Sequence, residues 1–346
     1  MSVPTIDKSS FKTILIYTGM DTVGDGLVKL PFVRELRCRF PDAHITWCAG
    51  IGPCSYAGAL APLVTGLIDR VIENARIGTG VLQFLIPTRP LSGESFDLII
   101  DTQRAMIRTL ILKRIRHGVF ISGTSNDRFS DMAPVSSTSR AVNFVKGLIG
   151  LLDRVTPETK DTAALPELGA DAARDALAAN LLPAGPDYVG FAPGAGDKAK
   201  IWPLDRFMTV ACDQVEKGRV AVFFLGPDEE TWIEQIKARV PDALFPESEI
   251  QNDALGGPLL AIALAKRLKA AVSNDSGTGH MLAAGGVPLV SLFSKHNPAK
   301  YAPTVDRLAI IDSKDFGGVD PALIAVPTVL DALEHLLSGG THFSTG

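Results

Sequence analysis

The chain has 346 residues, of which 46% are hydrophobic and 21% are charged. This length and composition exclude a largely disordered protein and predict two globular domains, each able to bury its own core. The formal net charge of -4 argues against a general nucleic-acid-binding protein, because phosphate contacts require a surplus of basic residues.

The cysteines and the N-terminus bear on the cellular compartment. Cys38, Cys48, Cys54 and Cys212 lack the paired spacing of a zinc site, and we interpret them as reduced thiols. The N-terminal sequence MSVPTIDKSS has no basic segment followed by an apolar run, so it does not resemble a signal peptide. No stretch approaches the ~20 apolar residues of a membrane span. We therefore expect a cytoplasmic protein, and a peripheral position at the cytoplasmic face of the inner membrane stays open.

Short β-branched runs alternate with helical patterns in both halves of the chain. In the first half the predicted strands are 13–17, 44–48 and 97–100, and the predicted helices are 26–39 and 103–116. In the second half the predicted strands are 188–191, 219–225, 270–273 and 288–293, and the predicted helices are 204–217, 229–239, 258–268 and 277–285. This alternation predicts an α/β fold in which each half is a parallel sheet wound with helices.

The domain junction is predicted within 155–187, a segment rich in Ala, Pro, Asp and Glu that ends in the turn-forming sequence LLPAGPDY. We expect an N-terminal domain over 1–170, a linker over 171–187 and a C-terminal domain over 188–325. The residues 326–346 form a final helix and tail, and whether this helix packs back on the N-terminal domain stays open. Two such domains facing each other would leave a central cleft at the carboxyl ends of their strands, where ligands bind in such sheets.

The first segment with chemical significance is TILIYTGMDTVGDGLVKLP, residues 13–31. A predicted strand runs into a loop with Gly19, Gly24 and Gly26, where the lack of a Cβ lets the backbone approach a ligand closely. Asp25 stands at the start of the following helix. Spacing alone favours a helix cap over a catalytic role for Asp25, because Asp is a preferred N-cap residue. The dinucleotide fingerprint G-x-G-x-x-G does not occur here, so a dehydrogenase ranks last among the candidate functions.

The second segment is YVGFAPGAGDKAKIWPLDRF, residues 188–207. A strand ends in the glycine-containing loop 193–196, and Lys200 follows just before Trp202. Free backbone N–H groups and one lysine can form a phosphate-binding loop, although most exposed lysines have no such role. A tryptophan in this position is more often a core anchor than a platform for a base.

The third segment, residues 271–293, carries the sequence NDSGTGH at 274–280 directly after a strand. Small residues and hydroxyls surround the start of the next helix, where backbone N–H groups and the helix dipole favour a diphosphate. Asp275 caps this helix, orients the loop or holds a hydroxyl of the ligand, and the three interpretations stay open. His280 lies one turn into the helix, where a lone histidine is more often structural.

Together, the strand–GD–helix start, the PGAG…KxWP centre and the NDSGxxH loop resemble glycosyltransferase family 9, the ADP-heptose:lipopolysaccharide heptosyltransferases. The stretches at 96–103, 222–230 and 286–303 are similar to that family as well. The resemblance covers about residues 12–305, and NDSGxxH is its most specific part.

The resemblance implies a GT-B architecture of two Rossmann-like domains, with the acceptor bound by the N-terminal domain and the nucleotide sugar by the C-terminal one. It implies that Asp25 is the general base and that Lys200 contacts the donor phosphates. Asp228 or Glu229 falls where the family holds the adenosine ribose, and the choice between them stays open. The other positions implied in donor binding are Gly194, Ala195, Gly196, Asp275, Ser276, Gly277, Thr278, Gly279 and His280.

These roles agree with the chemistry of sugar transfer with inversion, in which an acceptor hydroxyl attacks the anomeric carbon as the nucleotide diphosphate leaves. A carboxylate at Asp25 can remove the proton of that hydroxyl as the new bond forms. The charge on the leaving diphosphate requires fixed donors, which Lys200 and the helix start after Asp275 supply. The chain contains no Asp-x-Asp pair, so we expect neither a metal clamp nor another cofactor.

The acceptor side is predicted around the basic helical pattern 103–117. Arg104 and Arg108 lie one turn apart near the end of the strand that finishes at Asp101, and we expect them to contact anionic groups of a lipid-linked glycan acceptor. Asp101 and Gly24 are predicted to help form the pocket for this acceptor. A solvated basic face and a turn cap at Asp101 are equally good explanations. The basic residues farther along, which could rest on an anionic membrane surface, are Lys113, Arg114 and Arg116.

The sequence therefore predicts an inverting glycosyltransferase that moves a heptose from ADP-heptose to a lipopolysaccharide core or a related glycan. Two alternatives stay open. One is an epimerase or hydrolase of nucleotide sugars on the same fold, which would need no acceptor. The other is a non-catalytic nucleotide-sugar-binding protein, which would have no reason to keep a carboxylate at Asp25.

Overall fold

The computed structural model of the chain describes residues 11–134, 143–156, 171–250 and 253–343. The chain divides into two compact units, Met1–Gly169 and Ala170–Gly346. Among the described helices, none combines the length and the apolar character needed to cross a membrane.

The N-terminal unit is built on a parallel sheet whose strands are β1 (Thr13–Thr18), β2 (His44–Ala49), β3 (Arg70–Ile72), β4 (Ser95–Asp101) and β5 (Arg116–Ser122). Its described α-helices are α1 (Val23–Arg39), α2 (Met106–Leu112) and α3 (Phe144–Leu152). The strand order is β3-β2-β1-β4-β5, and all neighbouring pairs are parallel. The order reverses between β1 and β4, so the carboxyl ends of these two strands form the place where such sheets bind ligands.

The C-terminal unit contains a second parallel sheet whose strands are β6 (Tyr188–Ala192), β7 (Val220–Phe223), β8 (Leu268–Asn274), β9 (Leu289–Phe293), β10 (Leu308–Asp312) and β11 (His342–Phe343). Its described α-helices are α4 (Ala172–Leu181), α5 (Leu204–Glu216), α6 (Ile233–Arg239), α7 (Pro258–Ala265), α8 (Gly277–Ala284), α9 (Pro298–Tyr301) and α10 (Val326–Leu337). The strand order is β11-β10-β9-β8-β6-β7. The order reverses between β6 and β8, which places a second switch point there.

The apolar strands of the second sheet are covered on both faces, as parallel sheets require. On β6, Val189 and Phe191 join the core formed with α5 and α10. The alternate residues Tyr188 and Ala192 join the core formed with α4, α7 and α8. This period of two explains why β6 is an uninterrupted apolar run in the sequence.

Several predicted boundaries differ in the structure. The predicted helix 103–116 is wrong in its extent, because the α-helix covers only Met106–Leu112 and Arg116 already begins β5. The expected linker 171–187 contains α4, whose apolar residues pack in a core of the C-terminal unit. The final helix α10 packs on α5 and on the second sheet.

Candidate active site

A buried asparagine joins the two loops at the switch point of the C-terminal sheet. The Asn274 side chain accepts a hydrogen bond from the backbone N–H of Trp202 at 3.1 Å and donates one to the carbonyl of Pro193 at 2.6 Å. Trp202 is itself fully buried, and its indole donates to the carbonyl of Ile324 at 2.9 Å, which confirms that it is a core anchor. Asn274 therefore fixes the loop after β6 against the loop after β8.

Lys200 and Asp275 meet directly beside the start of α8. The Lys200 ammonium donates to the Asp275 carbonyl at 2.7 Å and to its carboxylate Oδ2 at 3.1 Å. His296 Nδ1 lies 2.6 Å from the same Oδ2 atom. Lys200 and Asp275 are largely buried, whereas 46% of the His296 side chain is exposed. The sequence analysis did not single out His296, because its contact with Asp275 depends on the folding of the loop after β9 onto the loop after β8.

The first turn of α8 is formed by the remaining residues of the NDSGTGH motif. Ser276 is the N-cap, since its hydroxyl accepts from the N–H of Gly279 at 3.3 Å, so the interpretation of Asp275 as the cap is wrong. A Cβ on Gly279 would lie 2.7 Å from the Ser273 hydroxyl, whereas a Cβ on Gly277 would meet open space. The helix therefore presents the N–H groups of its first turn beside the open side of Gly277.

The rest of this turn is partly accessible. Thr278 and His280 are half-buried in α8, and the backbone N–H of His280 donates to the carbonyl of Ser276 at 3.3 Å. Because unpaired N–H groups and the positive end of the helix dipole collect here, together with the Lys200 ammonium, the arrangement can hold a diphosphate.

A buried glutamate lies against the loop after β6. The Glu229 carboxylate accepts from the N–H of Gly226 at 3.1 Å, and a Cβ on Gly194 would lie 2.6 to 2.8 Å from the atoms of that carboxyl group. Burial raises the pKa of Glu229 above its ordinary value. Asp228, next to it, is exposed to solvent. Of the two acidic candidates, only Glu229 therefore packs against the PGAG loop.

The other two positions of this loop leave space for a ligand. Ala195 is half-buried and Gly196 is exposed, and a Cβ on Gly196 would have no atom within 4 Å.

In the N-terminal unit, Asp25 lies in the first turn of α1 and takes part in a capping box. Thr22, not Asp25, is the N-cap residue, which corrects the expected cap position. The carboxylate Oδ2 of Asp25 accepts from the Thr22 hydroxyl at 2.8 Å and from the Thr22 N–H at 3.1 Å. Asp25 is exposed, and Gly24 beside it is half-buried. The capping box thus fixes an accessible carboxylate at the carboxyl end of β1.

The loop before α1 rests on a buried ion pair that the sequence analysis missed. Asp21 and Lys29 are almost fully buried and form a salt bridge. Asp21 also accepts from the indole N–H of Trp47 at 2.7 Å and from the Thr18 hydroxyl at 2.9 Å. Because each charge is compensated, the pair can stay in the interior and fix the loop that leads to Asp25.

The loop after β4 lies next to the loop after β1. Asp101 is fully buried, and its carboxylate accepts from the N–H of Gln103 at 2.9 Å and from the hydroxyls of Thr109 at 2.6 Å and Ser122 at 3.0 Å. Burial raises the pKa of Asp101 to about 6. Asp101 therefore has no surface for a ligand and instead fixes the turn before α2.

The two arginines predicted for the acceptor follow this turn. A Cβ on Gly19 would lie 3.0 Å from the Arg108 guanidinium, so Arg108 lies against the loop after β1. Arg104 is exposed. Neither arginine forms an ion pair with a carboxylate among the residues that the structure describes. Within the same residues, His, Cys, Asp and Glu side chains form no group of three or more that could hold a metal ion.

The family model for glycosyltransferase family 9 (heptosyltransferase) matches residues 87–318 of the chain. This chain belongs to glycosyltransferase family 9. It is accordingly a glycosyltransferase, and the matched range includes every predicted donor-site residue as well as Asp101, Arg104 and Arg108. Asp25 and Gly24 lie before the matched range.

Individual relatives agree with this assignment. The chain is 31% identical to lipooligosaccharide heptosyltransferase 2 of Haemophilus influenzae over 126 residues, which are 36% of each protein, so this match spans only about a third of that relative. It is 25% identical to lipopolysaccharide heptosyltransferase 2 of Salmonella typhimurium over 315 residues, which are 86% of this chain and 87% of the relative.

The fold is similar to that of the E. coli ADP-heptose lps heptosyltransferase II, with a TM-score of 0.63 and 21% identity over 94% of this chain and 98% of that one. The GT-B type of two Rossmann-like units predicted from the sequence is therefore confirmed.

Proposed function

We propose that this glycosyltransferase moves a heptose from ADP-heptose, with inversion, to a lipopolysaccharide core or a related lipid-linked glycan. The names of the Salmonella and E. coli relatives suggest this donor and this acceptor. The observation that carries the proposal is the contact of Lys200 with Asp275 at the first turn of α8, at the switch point of the C-terminal sheet. Nucleotide sugars and reduced thiols are both typical of the cytoplasm, where we propose that the enzyme acts.

In the proposed donor complex, the diphosphate lies at the start of α8. The N–H groups near Gly277 and Thr278 donate to its oxygens, and the Lys200 ammonium neutralises the charge that grows as the nucleotide leaves. The open backbone of the loop 193–196 accepts the adjacent part of the nucleotide. Glu229 binds the ribose hydroxyls in this proposal, because it packs against that loop whereas Asp228 points into solvent.

In the proposed transfer step, Asp25 is the general base. The capping bonds from Thr22 both go to Oδ2, so Oδ1 is the oxygen that we assign to the acceptor hydroxyl. The hydroxyl oxygen forms a bond to the anomeric carbon from the face opposite the diphosphate, its proton passes to Asp25, and the bond to the diphosphate oxygen breaks. ADP leaves with the bonding electrons. Arg104 and Arg108 bind anionic groups of the acceptor, with Gly24 beside them, while Asp101 acts indirectly by fixing the turn that precedes α2.

The donor assignment is tested by calorimetry of the purified protein with ADP, UDP, GDP and NAD, each without added metal. Selective binding of ADP is expected. Preference for UDP or GDP would retain a transferase with a different donor, and no nucleotide binding at all would contradict the proposed donor site.

The catalytic assignment is tested with Asp25→Asn, which keeps an acceptor for the capping bonds but removes the base. We expect transfer from ADP-heptose to fall at least about 100-fold while the Kd for ADP stays unchanged, as general bases contribute about 10²–10⁴-fold. Thr22→Ala is the matched control: it removes the capping hydroxyl and costs about 1 kcal/mol of stability, but it keeps the backbone N–H that donates to Oδ2 of Asp25, so it should retain most activity. Normal transfer by Asp25→Asn would show that Asp25 is only part of the capping box.

A further inference from the structure

The described part of the N-terminal unit exposes an unusual concentration of apolar side chains between β3 and β4. Leu82 is 75% exposed and Leu85 is 77% exposed, and Phe84 and Ile86 between and beside them are also exposed. Isolated exposed apolar residues are common, but four within five positions form a continuous apolar patch whose exposure to water is unfavourable.

This patch is held in place by polar side chains of the same segment and of the chain after α2. Gln83 accepts from the N–H of Gly78 at 2.6 Å, so the one polar side chain among residues 82–86 is turned inward. The Arg114 guanidinium donates to the carbonyls of Gln83 at 2.7 Å and Ile86 at 2.5 Å. The backbone is thus anchored while the apolar side chains face outward, which is the opposite of what a core segment requires.

Basic residues border the patch. A surface depression next to it is lined by Pro87, Arg89, Lys113, Arg114, Ile115, Arg116 and His117. Lys113 is paired with Asp131, but Arg89 and Arg116 form no ion pair with a carboxylate among the described residues. The border is therefore positively charged, and its two exposed arginines have charge available for an external anion.

The basic border and the proposed acceptor site lie at opposite ends of the sheet. Arg116 is the first residue of β5, whereas Arg104 follows the carboxyl end of the adjacent strand β4. A strand of this length separates the two ends by roughly 20 Å. Helix α2 runs between them, packs against residues 81–84 and exposes Met106 and Ile107 at its acceptor end. The same side of the unit thus connects the basic border with the acceptor residues.

We propose that this side of the N-terminal unit docks on an anionic lipid bilayer. Leu82, Leu85 and their apolar neighbours enter the boundary between headgroups and acyl chains, and Arg89 and Arg116 bind lipid phosphates. A bilayer fits better than a protein partner because the exposed apolar side chains lie next to a cationic border, and an anionic lipid surface complements both. The inference rests on the proposed function only in that the acceptor is lipid-linked, so that docking brings the enzyme to its substrate.

The test is co-sedimentation with vesicles of phosphatidylethanolamine and phosphatidylglycerol, and with neutral phosphatidylcholine vesicles for comparison. The wild-type protein is expected to bind the anionic vesicles and to be released by 0.5 M salt to the extent that the arginines contribute. Leu82→Ser/Leu85→Ser should weaken binding at least about 10-fold, and Arg89→Glu/Arg116→Glu at least about 25-fold, since one basic residue near such a surface is worth roughly 5-fold.

Val319→Ser/Leu323→Ser, which changes two exposed apolar residues of the C-terminal unit, is the matched control and should bind as the wild type does. Circular dichroism and urea unfolding verify that each variant is folded. The proposal would be overturned if the wild-type protein did not bind anionic vesicles, or if the Leu82→Ser/Leu85→Ser variant bound them as well as the wild type does. A wild-type dimer that becomes monomeric in this variant by light scattering would overturn it too, because the patch would then be an interface between two copies.

Two acceptor forms separate this proposal from the proposed function. With a deacylated, water-soluble acceptor, the Leu82→Ser/Leu85→Ser variant should transfer at the wild-type rate, and with the same acceptor in anionic vesicles it should be at least about 10-fold slower. Equal rates on the embedded acceptor would refute docking and leave the transferase assignment intact. Vesicle binding without transfer to either acceptor would refute the assignment of donor or acceptor and leave docking intact.

Discussion

The contact between Gly194 and Glu229 offers a way to move one proposed donor-binding group without deleting it. In Gly194→Ala the new methyl group would lie 2.6 Å from Cδ, 2.7 Å from Oε1 and 2.8 Å from Oε2 of Glu229, distances too short for real Cβ contacts. The carboxyl group is the end of a flexible side chain, whereas Gly194 follows β6 in a loop fixed by Asn274. We therefore expect the glutamate to move and the loop to stay.

The size of the effect follows from the interactions that the carboxylate makes. A displaced Glu229 loses the bond from the Gly226 N–H and no longer faces the proposed ribose position. A hydrogen bond to a charged group is worth about 1.5–3 kcal/mol, which corresponds to roughly 10- to 150-fold in the Kd for ADP. The free energy of unfolding should change by less than about 1 kcal/mol, because burial already disfavours the ionised glutamate, as its raised pKa indicates, and displacement relieves that cost.

Calorimetry with ADP measures this effect, with Gly196→Ala as the matched control in the same loop. A Cβ on Gly196 meets no atom within 4 Å, so this variant should bind ADP as the wild type does. Glu229→Ala should match Gly194→Ala, and the double variant should be little weaker than either, since both remove the same interaction. Wild-type affinity in Gly194→Ala, or fully additive effects in the double variant, would refute a role for Glu229 in donor binding.

Three further predictions concern the loops on which the site depends. Lys200→Met should weaken ADP binding, measured by calorimetry, by roughly 10- to 100-fold, because a charge-assisted contact is lost. Lys198→Met, at the exposed start of the same 3-10 turn, should leave ADP binding unchanged. Equal effects of the two variants would show that Lys200 is not part of the phosphate site. Asn274→Ala should lower the free energy of unfolding, measured in urea, by roughly 2–4 kcal/mol, because two buried backbone groups lose their partners. Ser273→Ala is the control and should cost much less, since the buried Ser273 hydroxyl has no hydrogen-bond partner within the described chain. Asp101→Asn tests the raised pKa: between its ordinary value of 3.8 and about 6 the folded protein binds more protons than the unfolded one, so the wild type loses stability as pH rises. The stability difference should therefore move in favour of Asn by on the order of 2–3 kcal/mol between pH 4 and pH 7, and a difference independent of pH would contradict the buried, partly protonated carboxylate.

The strands that the sequence identified are those whose side chains are apolar on both faces, as in β1, β6 and β8. β5 was missed because it begins with the polar residues RHG directly after a helical pattern rich in basic residues, so the periodicity appeared to continue through Arg116. Helix α4 lies within 171–187, the segment that was predicted to be a linker. Its assignment depends on packing against α7, which lies far away in the sequence and therefore leaves no local signal.

The predicted site residues were found by a different route, through the loops that follow β1, β4, β6 and β8. Glycines and hydroxyls after a buried strand are a local signal, and parallel topology brings such loops to one edge of each sheet. The sequence did not distinguish residues that bind a ligand from residues that only hold a loop in place. Asp101 has the residue type and position of a ligand contact, yet it is fully buried among Gln103, Thr109 and Ser122. Such roles are decided by contacts between segments distant in the chain.

Asp275 lies beside the proposed diphosphate position and also holds another side chain of the site in place. A carboxylate beside a proposed diphosphate position would repel the ligand if it stood alone, but Lys200 lies 3.1 Å and His296 2.6 Å from its Oδ2. The Lys200 side chain is largely buried, and a buried ammonium without a partner is unfavourable. Asp275 therefore compensates the charge of the lysine and holds the ammonium beside the start of α8. When a diphosphate binds there, the cation needs little rearrangement to meet it, which is the condition under which a fixed charge stabilises a leaving group most effectively.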